Sequence, residues 1–172
     1  MLQNFPSLIF GPRVISLKMI LGHFSASFVA AKFVKKDAST LQMACAIVGG
    51  YFPDLIDKPM SLLGLGMARG FGHSGLLLFG LLLLASLIKN PLLWMFVLGN
   101  IIHLMTDFVD PAVFLWPALG PFPTPVQLAL PDLLGIYYFH FGRPEMLMVE
   151  LLFHFLLIVY LLRRFKGGTY AH

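Results

Sequence analysis

The sequence predicts an all-α fold, a polytopic transmembrane helix bundle of about five spans with an interfacial loop rich in aromatic residues and proline. Three observations predict it. Hydrophobic residues make up 58% of the chain, charged residues only 12%, and mean hydropathy is +0.84. An ordinary soluble domain is about 45–50% apolar and about 25% charged. Five stretches approach the roughly 17–25 apolar residues that a spanning helix requires. The net charge of +4 is spread over positions flanking those stretches, which reads as topology and headgroup contact rather than a nucleic-acid surface. Residues 1–172 are expected to form a single integral membrane domain.

The first stretch, 14–34, is amphipathic, and its small residues Gly22, Ser25, Ala26, Ser27, Ala30 and Ala31 suit close helix packing. The second, 41–57, is apolar until it ends in "FPDLID". The third and fourth, 73–88 and 92–108, form a hairpin around "KNP", where Pro91 favours a helix start. The last, 146–162, is closed by "RRFK". Residues 109–145 carry too many prolines for a straight helix, and their aromatics suit a membrane interface. They are expected to form an interfacial loop with short helical pieces. The first dozen residues are expected to lie on the membrane surface and to stay on the mature protein. Cys45 stands alone and implies no intrachain disulfide. Seven Lys and Arg residues on one side against five on the other place the C-terminus inside and the opposite face outward.

Against this background the ionisable residues stand out, because each costs about 2.5–3.5 kcal/mol within a span. His23 lies early in the first stretch, Asp54 and Asp57 close the second, His73 opens the third, and His103 and Asp107 close the fourth. Alternation of the stretches brings all six to one end of the bundle. His103 and Asp107 are i and i+4, and Asp54 and Asp57 are i and i+3, so each pair shares a helix face. Imidazole and carboxylate are ligands for zinc or a similar divalent ion, and carboxylates can bridge two ions. Clustered carboxylates repel one another unless a cation neutralises them.

Further residues carry two readings each. Glu150 and His154 are i and i+4 on the last stretch, either a self-satisfying pair that braces the site, or a ligand or base. Arg69 is an interfacial anchor or a clamp for an anionic group. Ser74 is a helix cap or a nucleophile, and Lys58 can meet anionic headgroups. His140 reads as interfacial, and His172 is terminal.

Five pieces in order, "GHFSASFVAA", "VGGYFPDLIDKP", "RGFGHS", "GNIIHLMTDFVDP" and "FLWP", cover residues 22 to 117. They resemble the family of LexA-binding, inner-membrane-associated, metal-dependent hydrolases of bacteria and archaea. The resemblance implies a divalent metal bound by His23, Asp54, Asp57, His73, His103 and Asp107, in the cytoplasmic (inner) membrane. Gly72 stands where that family usually has Thr, so a looser turn is expected there. More distantly, the order of His, Asp, His and HxxxD is similar to the zinc-dependent phospholipase C and single-strand nuclease group. That likeness implies His23, Asp54, His73, His103 and Asp107 as zinc ligands, with Asp107 a candidate bridge. The further His and Glu ligands of that group have no counterpart here unless Glu150 and His154 serve in reversed order, which favours one or two ions over three.

The expected function is metal-dependent hydrolysis of a phosphoester, of a lipid or lipid-linked substrate, through a metal-activated water. Zinc is the expected ion, with manganese or another divalent ion as alternatives. Asp57 first and Glu150 second are the candidate bases, with Arg69, Lys58 and Ser74 on the substrate. Membrane lipids are the expected partners, with no nucleic acid. The alternatives are a metal-free lipid-phosphate phosphatase working through a phosphohistidine, and a metal transporter or regulatory membrane protein. The first would need a Lys/Arg-rich motif that the chain lacks, and the second a polar path through the spans.

Overall fold

The structure is a computed structural model and describes residues 20–66, 69–107, 109–121 and 144–168. Those residues are helical without strands. The helices are α1 (Ile20–Val34), α2 (Thr40–Leu62), α3 (Gly75–Ile88), α4 (Pro91–Thr106), α5 (Pro111–Phe114) and α6 (Pro144–Gly168), with a 3₁₀ turn at Phe71–His73 before α3. The starts follow from local chemistry. Ser39 caps α2 through a reciprocal box, its Oγ accepting from the Gln42 N–H while its own N–H donates to Gln42 Oε1. Asn90 Oδ1 accepts from the Leu92 N–H, and Pro91 opens α4 as the sequence predicts. Lys89 takes the left-handed conformation that closes α3.

Helix α2 packs most extensively on α4, α1 lies against α2, α4 and α6, and α3 rests on α4 and the 3₁₀ turn. Glycine makes the α2–α4 crossing possible. A Cβ on Gly49 would sit 1.9 Å from the Phe96 carbonyl oxygen, and one on Gly99 1.9 Å from that of Ala46. Phe52 and Phe96 flank this crossing edge to face, with centroids 4.9 Å apart. On the other side, Ser25, Ala26, Ser27 and Ala31 of α1 are buried, in line with the close packing expected of them. Helix α2 runs on past Pro53 and Pro59 to Leu62, so Asp54 and Asp57 do share a helix.

The expectation of a membrane-spanning bundle, and of an integral membrane location, is overturned. Among the described residues no helix is long and apolar enough to cross a membrane. Helices α3 and α4 have 14 and 16 residues. At about 1.5 Å per residue they reach roughly 21–24 Å against a hydrocarbon core of about 30 Å. Helix α2 has 23 residues, but Gln42, Asp54, Asp57 and Lys58 interrupt its apolar run. The sequence of α6 includes Glu150, His154, Arg163 and Arg164. The third span drawn from hydropathy, 73–88, ran together the end of the 3₁₀ turn, the Ser74 cap and α3, because an average over a window does not see where the backbone breaks. Exposed apolar residues remain, among them Leu76, Phe79, Leu83 and Leu87 of α3. Of the expected loop over 109–145, the described part holds the short helix α5, while 122–143, including His140, lie outside the described residues. So do residues 1–19 and His172.

Glycine at the α2–α4 crossing generates a test. Gly99→Val forces the two backbones apart and is expected to cost about 1–3 kcal/mol or more. Gly80, where an added Cβ would meet nothing within 4 Å, serves as the control. Gly80→Ala is expected to be neutral or stabilising by up to about 1 kcal/mol. Thermal unfolding followed by circular dichroism separates them; equal melting of both variants would refute the crossing as the packing constraint.

Candidate metal centre

Four elements meet at one end of the α1–α2–α4 packing, and each delivers a chemically distinct group. Helix α1 brings His23, α2 brings Asp54 and Asp57, the 3₁₀ turn brings His73, and α4 brings His103 with Asp107 at its C-cap. All six are buried, with His73 and His103 at 0% exposure. The convergence expected from the sequence is what the structure shows, although the helices that produce it are not membrane spans.

The imidazoles are oriented from behind. His103 Nδ1 lies 2.6 Å from the Gly50 carbonyl oxygen, which can only accept, so Nδ1 carries the proton. His73 Nδ1 donates to Asp57 Oδ2 at 2.7 Å. Thr106 Oγ1 lies 3.2 Å from His23 Nδ1 and within reach of the Ile102 and His103 carbonyls at 2.9 and 3.1 Å, and so holds the third ring from behind. With Nδ1 of His73 and of His103 protonated, each of their Nε2 atoms is left to offer a lone pair, while His23 has a carboxylate at Nε2 and a hydroxyl at Nδ1. These lone pairs face inward. His73 Nε2 and His103 Nε2 are 3.1 Å apart, and His23 Nε2 is 3.3 Å from Asp107 Oδ1.

Two carboxylates complete the cluster. Asp54 Oδ1 is 3.6 Å from His73 Nε2 and 3.9 Å from His103 Nε2; Asp107 Oδ2 is 3.5 Å and 3.9 Å from the same atoms. Ligand atoms about 2.0–2.2 Å from a tetrahedral ion stand about 3.3–3.6 Å from one another, so these separations match a shared cation. Two overlapping groups could hold a metal ion, His23 with Asp54 and His103, and His73 with His103 and Asp107. They share His103, whose Nε2 offers one lone pair. One ion is therefore the simplest occupancy, with a second only if Asp107 bridges.

Asp57 takes another place. Its Oδ2 accepts from the Gly70 N–H at 2.7 Å, the His73 N–H at 3.2 Å and His73 Nδ1, while Oδ1 accepts from the Gly72 N–H at 2.8 Å. Both oxygens are committed to the 3₁₀ turn. Asp57 thus stands behind His73 as the carboxylate of a carboxylate–histidine–metal arrangement. The turn expected to be loose at Gly72 is held tightly, and a Cβ there would sit 2.5 Å from the Pro53 carbonyl oxygen.

Of the remaining candidates, Arg69 Nη2 pairs with Asp107 Oδ2 at 2.8 Å, and Lys58 Nζ pairs with Asp54 Oδ2. Ser74 is wholly buried; its Oγ donates to the Phe71 carbonyl and accepts from the Leu77 N–H, which makes it the cap of α3. His154 Nδ1 bonds the backbone carbonyl of Glu150, and neither residue joins the two His/Asp groups. The sequence reading missed Thr106 and the Gly50 carbonyl, the anchors of His23 and His103. The i−1 position to Asp107 was a signal for the first; a backbone carbonyl leaves none.

Charge follows this geometry. Burial, with His23 beside it, pushes the His103 imidazole down to about 3, so it is neutral and available as a ligand. Burial alone would lower His73 too, but the Asp107 and Asp57 carboxylates outweigh it and raise its pKa. Burial works against ionised Asp107, and the Arg69 guanidinium with the histidines more than reverses that, holding it well below the usual carboxylate range. Lys58 acts likewise against burial at Asp54.

These contacts lead to two expected outcomes. Asp57→Asn puts a donor NH2 where one of two accepting oxygens stood and removes the charge behind His73 while leaving the cluster atoms in place, and is expected to weaken zinc binding about 10–100-fold in a chelator competition. Unchanged affinity would refute the bracing role. The metal-free protein should also lose stability as pH falls from about 6.5 towards about 3. In that window the unfolded His103 takes up a proton that the folded one refuses, for up to about 1.4 kcal/mol per pH unit. His73 works in the opposite sense and loses its contribution as pH rises through its raised pKa. Denaturant unfolding at pH 4, 5 and 6.5 checks the sign.

No protein-family model, curated protein or solved structure matches this chain.

Proposed function

We propose that the chain is a metal-dependent hydrolase that cleaves a phosphoester, with zinc at the His/Asp cluster. One observation carries the reading: lone pairs of His73 Nε2 and His103 Nε2 face each other at 3.1 Å while both Nδ1 atoms are committed to acceptors. A single proton can bridge that pair. It does not answer Asp54 Oδ1 and Asp107 Oδ2, which lie 3.5–3.9 Å from the same two nitrogens, whereas a divalent ion answers all four atoms. The histidine and carboxylate set is one that suits zinc, with manganese as the other choice.

A bound divalent ion supplies a water of lowered pKa and polarises a phosphoryl oxygen. The protein's own residues do the rest. His73, His103 and His23 hold the inner wall, dry and fixed through their Nδ1 atoms. Asp54 is the most accessible carboxylate of the cluster, its side chain 11% exposed against 3% for Asp57 and 5% for Asp107, and its Oδ2, which faces Lys58 rather than the imidazoles, would take the water's proton once Lys58 turns to the anionic group. Asp57, with both oxygens engaged, keeps His73 in register instead. Arg69 and Lys58 stand outermost to receive the anionic group.

A screen of soluble phosphodiesters and of phospholipids, with and without chelator and paired with elemental analysis, tests this. The expected result is about one zinc per chain and turnover that chelator abolishes, with His73→Ala and His103→Ala losing metal and activity together. Purified protein without stoichiometric metal, or hydrolysis unchanged in both variants, would sink the reading. Turnover confined to one substrate panel identifies whether the phosphoester is a lipid's.

A further inference from the structure

The two cations of the cluster are placed where a bound metal changes their role. The site is layered: imidazoles 0–2% exposed lie innermost, Asp54 and Asp107 come next, and the side chains of Lys58 and Arg69, 18% and 27% exposed, form the rim. Each cation holds a carboxylate that also faces the imidazole nitrogens. Arg69 pairs with Asp107 Oδ2, the same oxygen that lies 3.5 Å from His73 Nε2. Lys58 pairs with Asp54 through Oδ2 while Oδ1 faces His73.

Charge balance sets the consequence. With neutral imidazoles, the carboxylates of Asp54, Asp57 and Asp107 outweigh Lys58 and Arg69 by one negative charge, and a proton on His73 brings that balance only to zero. Either way the empty cluster offers an anion no net attraction. A divalent ion would turn the balance, with neutral imidazoles, to one positive charge and would draw on the same two carboxylates that the two side chains neutralise. The cations are then left at the rim with their partners' charge spent inward.

We infer that metal loading creates an anion site, in which Lys58 and Arg69 bind a phosphoryl group only after the ion has taken Asp54 and Asp107. The inference rests on the metal reading above and adds a regulation to it: ion and phosphate bind with positive linkage, each tightening the other by the same factor. Arg69 supplies two parallel N–H donors, a fork that matches phosphate oxygens, and Lys58 supplies a point charge. The order is ion first. It keeps an empty centre from trapping anionic ligands.

The test measures zinc affinity of the whole chain against a chromophoric chelator, at micromolar zinc, in chloride and again with inorganic phosphate. Phosphate is expected to tighten zinc binding in the parent protein by about tenfold or more, within the usual range of coupling between sites. Arg69→Gln and Lys58→Gln should still bind zinc in chloride but retain only about threefold tightening or less. Arg69→Lys, which keeps the charge and loses the fork, should fall between, and it guards against a glutamine variant that fails to fold. Zinc binding unaffected by phosphate in the parent, or tightening undiminished in the glutamine variants, overturns the inference and leaves the metal reading standing. Absence of zinc uptake in either buffer overturns the metal reading, and the inference falls with it.

Discussion

Each imidazole of the cluster is pinned through Nδ1 to a partner that belongs to the scaffold: an accepting backbone carbonyl for His103, an accepting carboxylate for His73 and a hydroxyl for His23. Everything else about the site depends on that choice of tautomer. A proton on Nδ1 leaves Nε2 of His73 and His103 bare, and two bare nitrogens 3.5–3.9 Å from Asp54 Oδ1 and Asp107 Oδ2 bring four acceptor atoms together, with Lys58 and Arg69 donating only from outside. Such a set is stable only around positive charge. Rotation of a single ring would convert an acceptor into a donor and let the cluster satisfy itself.

The scaffold's part is to bring those anchors close enough. His103 reaches the Gly50 carbonyl because α2 and α4 cross at glycines 49 and 99, where any side chain would collide with backbone. Gly72 does the same for the 3₁₀ turn, whose N–H groups wrap around Asp57. Small residues here are therefore part of the chemistry. They trade side-chain packing for short backbone-to-side-chain bonds that fix ring orientation, in a class of site where positions must hold to about 0.5 Å.

The gradient from dry imidazoles to partly wetted cations also explains why the centre can be both deep and reachable. Burial keeps His103 neutral, and Arg69 and Lys58 keep the carboxylates ionised where burial alone would protonate them. The same two side chains carry the outer face of the site. A single arrangement thereby serves the empty cluster and its proposed loaded form, with the cations' partner changing between them.

The identity of the cluster was legible in the sequence because its spacings are local: i, i+3 for Asp54 and Asp57, i, i+4 for His103 and Asp107, and alternation of helical stretches that returns His23 and His73 to the same end. Helical character and the start of α4 at Pro91 were legible for the same reason, since caps and periodicity act over a few residues. Tertiary structure alone decided the division of labour among these residues. Asp54 and Asp57 look equivalent at three residues' spacing, yet one faces the imidazole nitrogens and the other is enclosed by N–H groups from a turn 13 to 16 residues away. Hydropathy misplaced the helix ends for a related reason. It sums side-chain character along the chain, while the length of a helix is set by where backbone hydrogen bonding stops: after 14 and 16 residues in α3 and α4, short of a span, and past the expected ends in α2 and α6.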